Sequence, residues 1–180
     1  MSARQVTLWA CLIASLSING FQGARILKLE QASAVPGGAL LEGAKLTRIA
    51  AKDLADRKKS VDFASKSKPT ILYVFKPSCM WCQHNGAYLD SLAKQVRDRY
   101  NLVALSLSSD GLGEFLKEHP IGFPVFKDAP DEFVQMYHLG VTPQTIVVSE
   151  DGYVVKVFDG AYGGAVRGMV EEFFRIRLPL

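Results

Sequence analysis

Hydrophobic and polar positions follow two different periods along this chain, and the switches between them outline an α/β domain. Thr70-Ile71-Leu72-Tyr73-Val74-Phe75 is a continuous apolar run rich in β-formers, and Leu102-Val103-Ala104-Leu105-Ser106-Leu107 is a second. Runs of this kind fit central strands covered on both faces. Between them Tyr88, Leu92 and Val96 recur every four residues with Leu89 and Ala93 alongside, while Asp90, Lys94, Arg97 and Asp98 fall elsewhere on the wheel. That spacing predicts an amphipathic helix, and strand, helix, strand makes a parallel unit with a right-handed crossover. Thr145 to Val148 and Tyr153 to Phe158 flank Ser149-Glu150-Asp151-Gly152, whose Asp-Gly turn predicts an antiparallel hairpin. Short helices are predicted from Gly111 to His119, stopped by Pro120, and from Asp131 to His138, ending near Gly140. A closing helix starts near Gly164, with Val166, Met169, Val170 and Phe173 striping one face. Leu46 to Ala50 reads as a first strand, and Lys58 to Ser67 as a polar loop that tucks Val61 and Phe63 under the sheet. The sum is a central mixed sheet with helices on both faces.

The front of the chain has another pattern. No charged residue occurs from Gln5 to Gln22, and Val6 to Leu16 is apolar enough for a signal-peptide core or a short membrane helix. An uncleaved anchor is favoured, because the small-residue triplet Ala32-Ser33-Ala34 stands beyond Arg25, Lys28 and Glu30. Cys11, inside this segment, reads as a small lipid-facing residue with no assigned role. Gln31 to Ala39, small residues with Pro36, Gly37 and Gly38, reads as a tether. The expected organisation is a signal anchor or signal peptide over residues 1–28, a flexible linker over 29–45 and a folded domain over 46–180, with residues 6–22 meeting the membrane. The net charge of +3, from 21 basic and 18 acidic residues without a basic block, argues against nucleic acid as a partner. A hydrophobic fraction of 48% supports a real core and argues against disorder.

The chemistry is concentrated at Cys79-Met80-Trp81-Cys82, directly after the first apolar run and directly before the helical pattern. Two cysteines three apart at a helix start can close a small disulfide and open it again, and so carry two electrons. The first thiol would lie at the positive end of the helix, where a thiolate is favoured. The second would lie about one turn further in, shielded and within reach of a mixed disulfide formed at the first.

With an apolar strand leading into this dithiol, and Tyr137-His138-Leu139-Gly140-Val141-Thr142-Pro143-Gln144-Thr145-Ile146-Val147-Val148 leading into the hairpin, the domain resembles the thioredoxin fold. The tethered front makes it similar to the membrane-anchored, extracytoplasmic thioredoxin-like thiol-disulfide oxidoreductases of bacteria. The resemblance implies that Cys79 is the attacking thiolate, Cys82 the resolving thiol and Pro143 a cis residue facing them. The Thr142 backbone would pair with an extended substrate segment, and Trp81 is a candidate for substrate contact. It further implies no cofactor beyond the redox-active Cys79–Cys82 disulfide, protein dithiols and disulfides as partners, an upstream membrane or extracytoplasmic electron donor, and a monomeric domain. That domain would face the periplasm or exterior from the inner membrane, or be secreted after signal cleavage. Reduction of exported cysteine pairs, as in cytochrome c maturation or thiol homeostasis, is the favoured direction.

The chain also departs from the family pattern. Ser78 replaces an aromatic residue before the first cysteine, Met80-Trp81 fills the dithiol without proline, and Tyr73 stands where cytosolic thioredoxins bury an acid. Tyr73 reads as core, and His84 and His119 as a surface residue and a helix-end residue. Three rival readings remain: a copper chaperone using Cys79, Cys82 and His138, a peroxiredoxin-like peroxide reductase, and a non-catalytic interaction module that keeps the fold.

Overall fold

Alternation decides how the central strands pack. In a computed structural model of the chain, which describes Gln5, Leu40 and residues 42–46, 48–64 and 66–179, the apolar run Thr70–Phe75 is a strand with all six residues buried. It is β3, after β1 (Arg48–Asp53) and β2 (Lys58–Asp62). Then come helices α1 (Met80–His84) and α2 (Gly86–Val96), strand β4 (Asn101–Ser106), helix α3 (Leu112–Glu118), strand β5 (Val125–Lys127) and helix α4 (Asp131–Met136). Strands β6 (Gln144–Val148) and β7 (Val154–Asp159) and helix α5 (Gly164–Phe174) complete the order. The strands form one sheet in the order β2-β1-β5-β4-β3-β6-β7, with β3, β4 and β5 mutually parallel and the other neighbours antiparallel.

The two faces of this sheet collect alternate residues, as the pleat requires. Ile71, Tyr73 and Phe75 of β3 share one buried cluster with Cys82, with Leu89, Leu92 and Val96 of α2, and with Val170 and Phe174 of α5. Leu72 and Val74 share the opposite one with Leu105, Ile146, Val148 and Leu139, and Phe133 and Val134 of α4 pack against it. The hairpin closes as its Asp-Gly signal predicts, β6 pairing with β7 from Gln144↔Asp159 onward. Gly152 holds φ at +85°, and a Cβ there would meet the Leu46 carbonyl oxygen at 3.1 Å, so conformation and space both call for glycine.

Four sequence expectations change. Lys58 to Ser67 is not wholly a loop: Lys58–Asp62 is edge strand β2, paired with β1 from Arg48↔Asp62 to Lys52↔Lys58. Its polar composition suits an edge, where a lysine-rich surface blocks further pairing. The first strand runs Arg48–Asp53 rather than 46–50, since its partners lie on β2 and β5. Strand β5 is additional, three residues laid beside β4 after Pro124. Met169 does not belong to the buried stripe of α5 but is 48% exposed, while Val170 and Phe174 carry the packing.

The described end of the expected linker is held to the sheet. Leu40 is buried, the Gly43 N–H donates to the Val154 carbonyl at 2.7 Å, and the Leu46 N–H donates to the Gly152 carbonyl at 2.7 Å. The expected membrane segment 6–22, Cys11 within it and the tether 31–39 lie outside the described residues. Among those described, no helix is long and apolar enough to cross a membrane.

Candidate active site

Strand β3 ends at Phe75, and Lys76-Pro77-Ser78 turns the chain so that Cys79 becomes the residue that starts α1. The Cys79 N–H donates to the Lys76 carbonyl at 3.1 Å, closing this turn. Cys79 has extended backbone angles, and its sulfur accepts the Cys82 backbone N–H at 3.3 Å. A sulfur in the capping position thus takes up one of the N–H groups that a helix start leaves open. Helix α1 is short because Asn85 interrupts it, and α2 resumes at Gly86. Gly86 gives room there: a Cβ would lie 3.3 Å from His119 Nδ1.

The two thiols are unlike. Cys79 is half-buried and Cys82 is 1% exposed. Burial pushes the Cys82 thiol up to about 12, and its neighbour Cys79 reinforces that. For Cys79 burial works upward too, but hydrogen bonds from the Cys82 and Thr142 side chains and from the backbone N–H groups of Cys82 and Trp81 outweigh it and hold the thiol below its ordinary value. One sulfur is therefore prepared to be a thiolate while the other keeps its proton.

Across from them lies the segment before β6. The Thr142–Pro143 peptide bond is cis, and the Cys79 thiol donates to the Thr142 carbonyl at 3.4 Å. Strand pairing brings this about: β6 lies antiparallel to β3 with Val74 opposite Gln144, so the start of β6 lies beside the end of β3 from which the dithiol loop springs.

The sequence model of the family described as Redoxin matches residues 41–170. The chain belongs to the Redoxin family. Over 136 residues it is 29% identical to a thioredoxin-like protein of Haemophilus influenzae, covering 72% of this chain and 79% of that protein. Over 117 residues it is 24% identical to a thiol-disulfide oxidoreductase ResA of Halalkalibacterium halodurans, covering 63% and 65%. Among solved structures, the thioredoxin domain of a thiol-disulfide oxidoreductase from Bacteroides vulgatus superposes with a TM-score of 0.60 at 19% identity, covering 76% of this chain and 99% of that one. StoA from Bacillus subtilis superposes with a TM-score of 0.55 at 20% identity, covering 77% and 97%. The expected thioredoxin-like fold is the fold observed, and thiol-disulfide oxidoreductase is the enzyme class that named relatives of this Redoxin-family chain carry.

In this Redoxin-family fold the residues singled out in the sequence fall into two groups. Cys79, Cys82, Thr142 and Pro143 come together. Trp81 and Met80 are each 57% exposed beside them, Trp81 with its ring 5.8 Å from that of His84. His84 is exposed, and its Nδ1 donates to the Met80 carbonyl at 2.8 Å. His119 caps the end of α3 and packs on Phe115 with ring centroids 5.1 Å apart. His138 takes a left-handed conformation, φ 48°, in the turn after α4. Among the described residues no group of three His, Cys, Asp or Glu is arranged to hold a metal ion.

Sequence reasoning missed Asn85 and Tyr162, both 0% exposed. Asn85 Oδ1 accepts the Tyr162 backbone N–H at 2.7 Å, and the Tyr162 hydroxyl shares a 2.6 Å hydrogen bond with Thr145 Oγ1. Asn85-Gly86, a helix-breaking pair inside an otherwise helical pattern, was the available signal for the first. Tyr162 carries no local signal, because its partners come from α1 and β6.

Proposed function

We propose that the protein exchanges disulfides with protein partners through Cys79 and Cys82, acting as a reductase. The observation that carries this reading is the asymmetry of the thiols: an accessible Cys79 whose thiolate is favoured, and three residues on a buried Cys82 that stays protonated. The Cys79 thiolate attacks a partner disulfide, forms a mixed disulfide and expels one partner thiolate. Cys82 then loses its proton and attacks Cys79 Sγ, expelling the second partner thiolate, which takes a proton. The enzyme leaves oxidised and the partner leaves as a dithiol; run backwards, the same steps donate a disulfide.

The exposed Met80, Trp81 and Val141 support protein chains as partners, since they offer apolar contact around a reactive sulfur. A substrate segment lying extended beside Thr142 would run next to Cys79 and could add to the backbone before β6. By the resemblance to membrane-anchored, extracytoplasmic thioredoxin-like proteins we assign the substrates to exported proteins, in cytochrome c maturation or thiol homeostasis, with the domain outside the cytoplasmic membrane and recharged by an extracytoplasmic donor. In this reading Cys79→Ser abolishes reduction of insulin, and Cys82→Ser traps mixed disulfides with partners at Cys79. Full insulin reduction by the Cys79 variant would sink it.

A further inference from the structure

Resolution requires charge on Cys82, the thiol least inclined to carry it. Among the described residues no Asp or Glu side chain is buried, so the core behind the dithiol offers no carboxylate to take the proton. What it offers is two polar atoms with no hydrogen-bond partner. Tyr73 is 1% exposed and its hydroxyl is unpaired; Asn85 is 0% exposed and its Nδ2 is unpaired, although Oδ1 of the same side chain is held by the Tyr162 N–H. A buried donor without a partner gives up its hydration for nothing, so two of them in one core call for an explanation.

Their placement supplies one. Tyr73 projects from β3 into the cluster that contains Cys82. Asn85 lies one helical turn after Cys82, its N–H on the Trp81 carbonyl at 3.3 Å, so residues 82 and 85 share a face. The Asn85 Oδ1 and Tyr162 contacts aim the carboxamide inward, and Thr145, opposite Tyr73 in the sheet, fixes Tyr162 in turn. Burial and then a Cys82 charge push the Tyr73 hydroxyl up, and the Asn85 side chain, approaching that hydroxyl as a hydrogen-bond donor, opposes them. The groups that act on Cys82 itself are the Cys79 thiol, the Lys76 backbone N–H and Thr142. The tyrosines cannot serve as bases, since burial raises both Tyr73 and Tyr162.

We propose that the Tyr73 hydroxyl and the Asn85 carboxamide nitrogen are a buried donor pair kept open for the Cys82 thiolate, supporting its charge in the step that resolves the mixed disulfide. In that step Cys82 gives up its proton, the pair donates to the sulfur while it is anionic, the new Cys79–Cys82 bond forms, and the expelled partner thiolate takes the proton. The pair changes no electron count. It lowers the cost of ionising a thiol in an apolar setting by hydrogen bonding to the charged form. Both groups touch the reacting sulfur in that step, and the inference rests on the dithiol reading above.

The test uses the full chain carrying Cys11→Ser, reduced and mixed with dithiobisnitrobenzoate. This probe releases one coloured thiolate when Cys79 attacks and a second when Cys82 resolves, so the two steps are read separately. Loss of the first phase in Cys79→Ser tests the dithiol reading; the second phase tests the donor pair. In Tyr73→Phe the first phase is unchanged, while the second slows about tenfold or more and its pH midpoint moves up. Folded stability is unchanged or higher, since an unpaired hydroxyl has left the core. Asn85→Asp keeps the acceptor for Tyr162 and removes the donor, and slows the second phase as well. A second phase in Tyr73→Phe with its normal rate and midpoint overturns the proposal, as does equal slowing of both phases. Acceleration by Asn85→Asp overturns it too, since Cys82 would then need a base rather than a donor.

Discussion

The two faces of the sheet are made from alternate residues of the same strands, yet they differ in kind. Beneath α4, Leu72, Val74, Ile146 and Val148 form an aliphatic layer. Beneath α1, α2 and α5, Tyr73, Thr145, Tyr162 and Asn85 bring hydroxyls and an amide into an equally buried layer, next to Cys82. One face only stabilises. The other also holds Cys82 among hydroxyls and an amide; each face leaves two buried polar atoms without a partner, Thr70 Oγ1 and Gln144 Oε1 on the parity of Leu72, Tyr73 Oη and Asn85 Nδ2 on the side of Cys82. The difference teaches that in this fold the strand scaffold and the chemistry are separable by the parity of the residue number on β3.

Leu72→Ala probes this most strongly. It should cost about 2–5 kcal/mol of stability, read by denaturant melts, because it opens a cavity in the aliphatic layer. Both thiol phases should keep their rates in the protein that remains folded; altered thiol kinetics would break the separation of faces.

Alkaline pH probes the other face. Cys82 is raised from 9.0 to about 12 on folding, so from about pH 9 the unfolded chain loses this proton while the folded one keeps it. The reduced protein should therefore lose stability as pH rises from about 9 towards about 12, on the order of a few kcal/mol. Cys79 has the opposite sign: its lowered value adds stability that is complete above the ordinary thiol value and fades as pH falls through the folded one. The oxidised protein lacks both contributions, while the burial that raises the two tyrosines acts in both redox states. Melts of the two forms against pH that stay parallel above pH 9 would mean that burial does not act on Cys82.

The smallest effect on stability is expected at Trp81, which is 57% exposed on the active side but outside either core layer. Trp81→Ala should change stability by no more than about 0.5 kcal/mol, while weakening capture of protein partners by the Cys82→Ser variant. A large loss of stability would place Trp81 in the scaffold.

Much of this was legible from the chain. Continuous apolar runs gave β3 and β4, Asp151-Gly152 gave the hairpin of β6 and β7, and a dithiol between strand and helix marked the candidate site. These signals are local: a period, a turn and a spacing are each complete within a dozen residues. The edge strand β2 was not legible, because Lys58-Lys59-Ser60 has no β-forming character and is a strand only through its pairing with β1. Strand β5, three residues long, depends in the same way on β4. Met169 fits a helical stripe by period but faces solvent, since the sheet covers a narrower arc than the stripe.

The sequence by itself determined the thioredoxin-like order of elements, the positions of Cys79 and Cys82 and the turn that leads to them. Spacing and resemblance also anticipated a shielded Cys82 and a cis Pro143; tertiary structure alone decided that Tyr73 and Asn85 share the core with Cys82 and that Asn85 holds the Tyr162 N–H. The reason is physical. Strand and helix periods report one chain segment at a time, whereas burial, pairing and thiol ionisation depend on distant neighbours, 77 residues apart in the case of Asn85 and Tyr162.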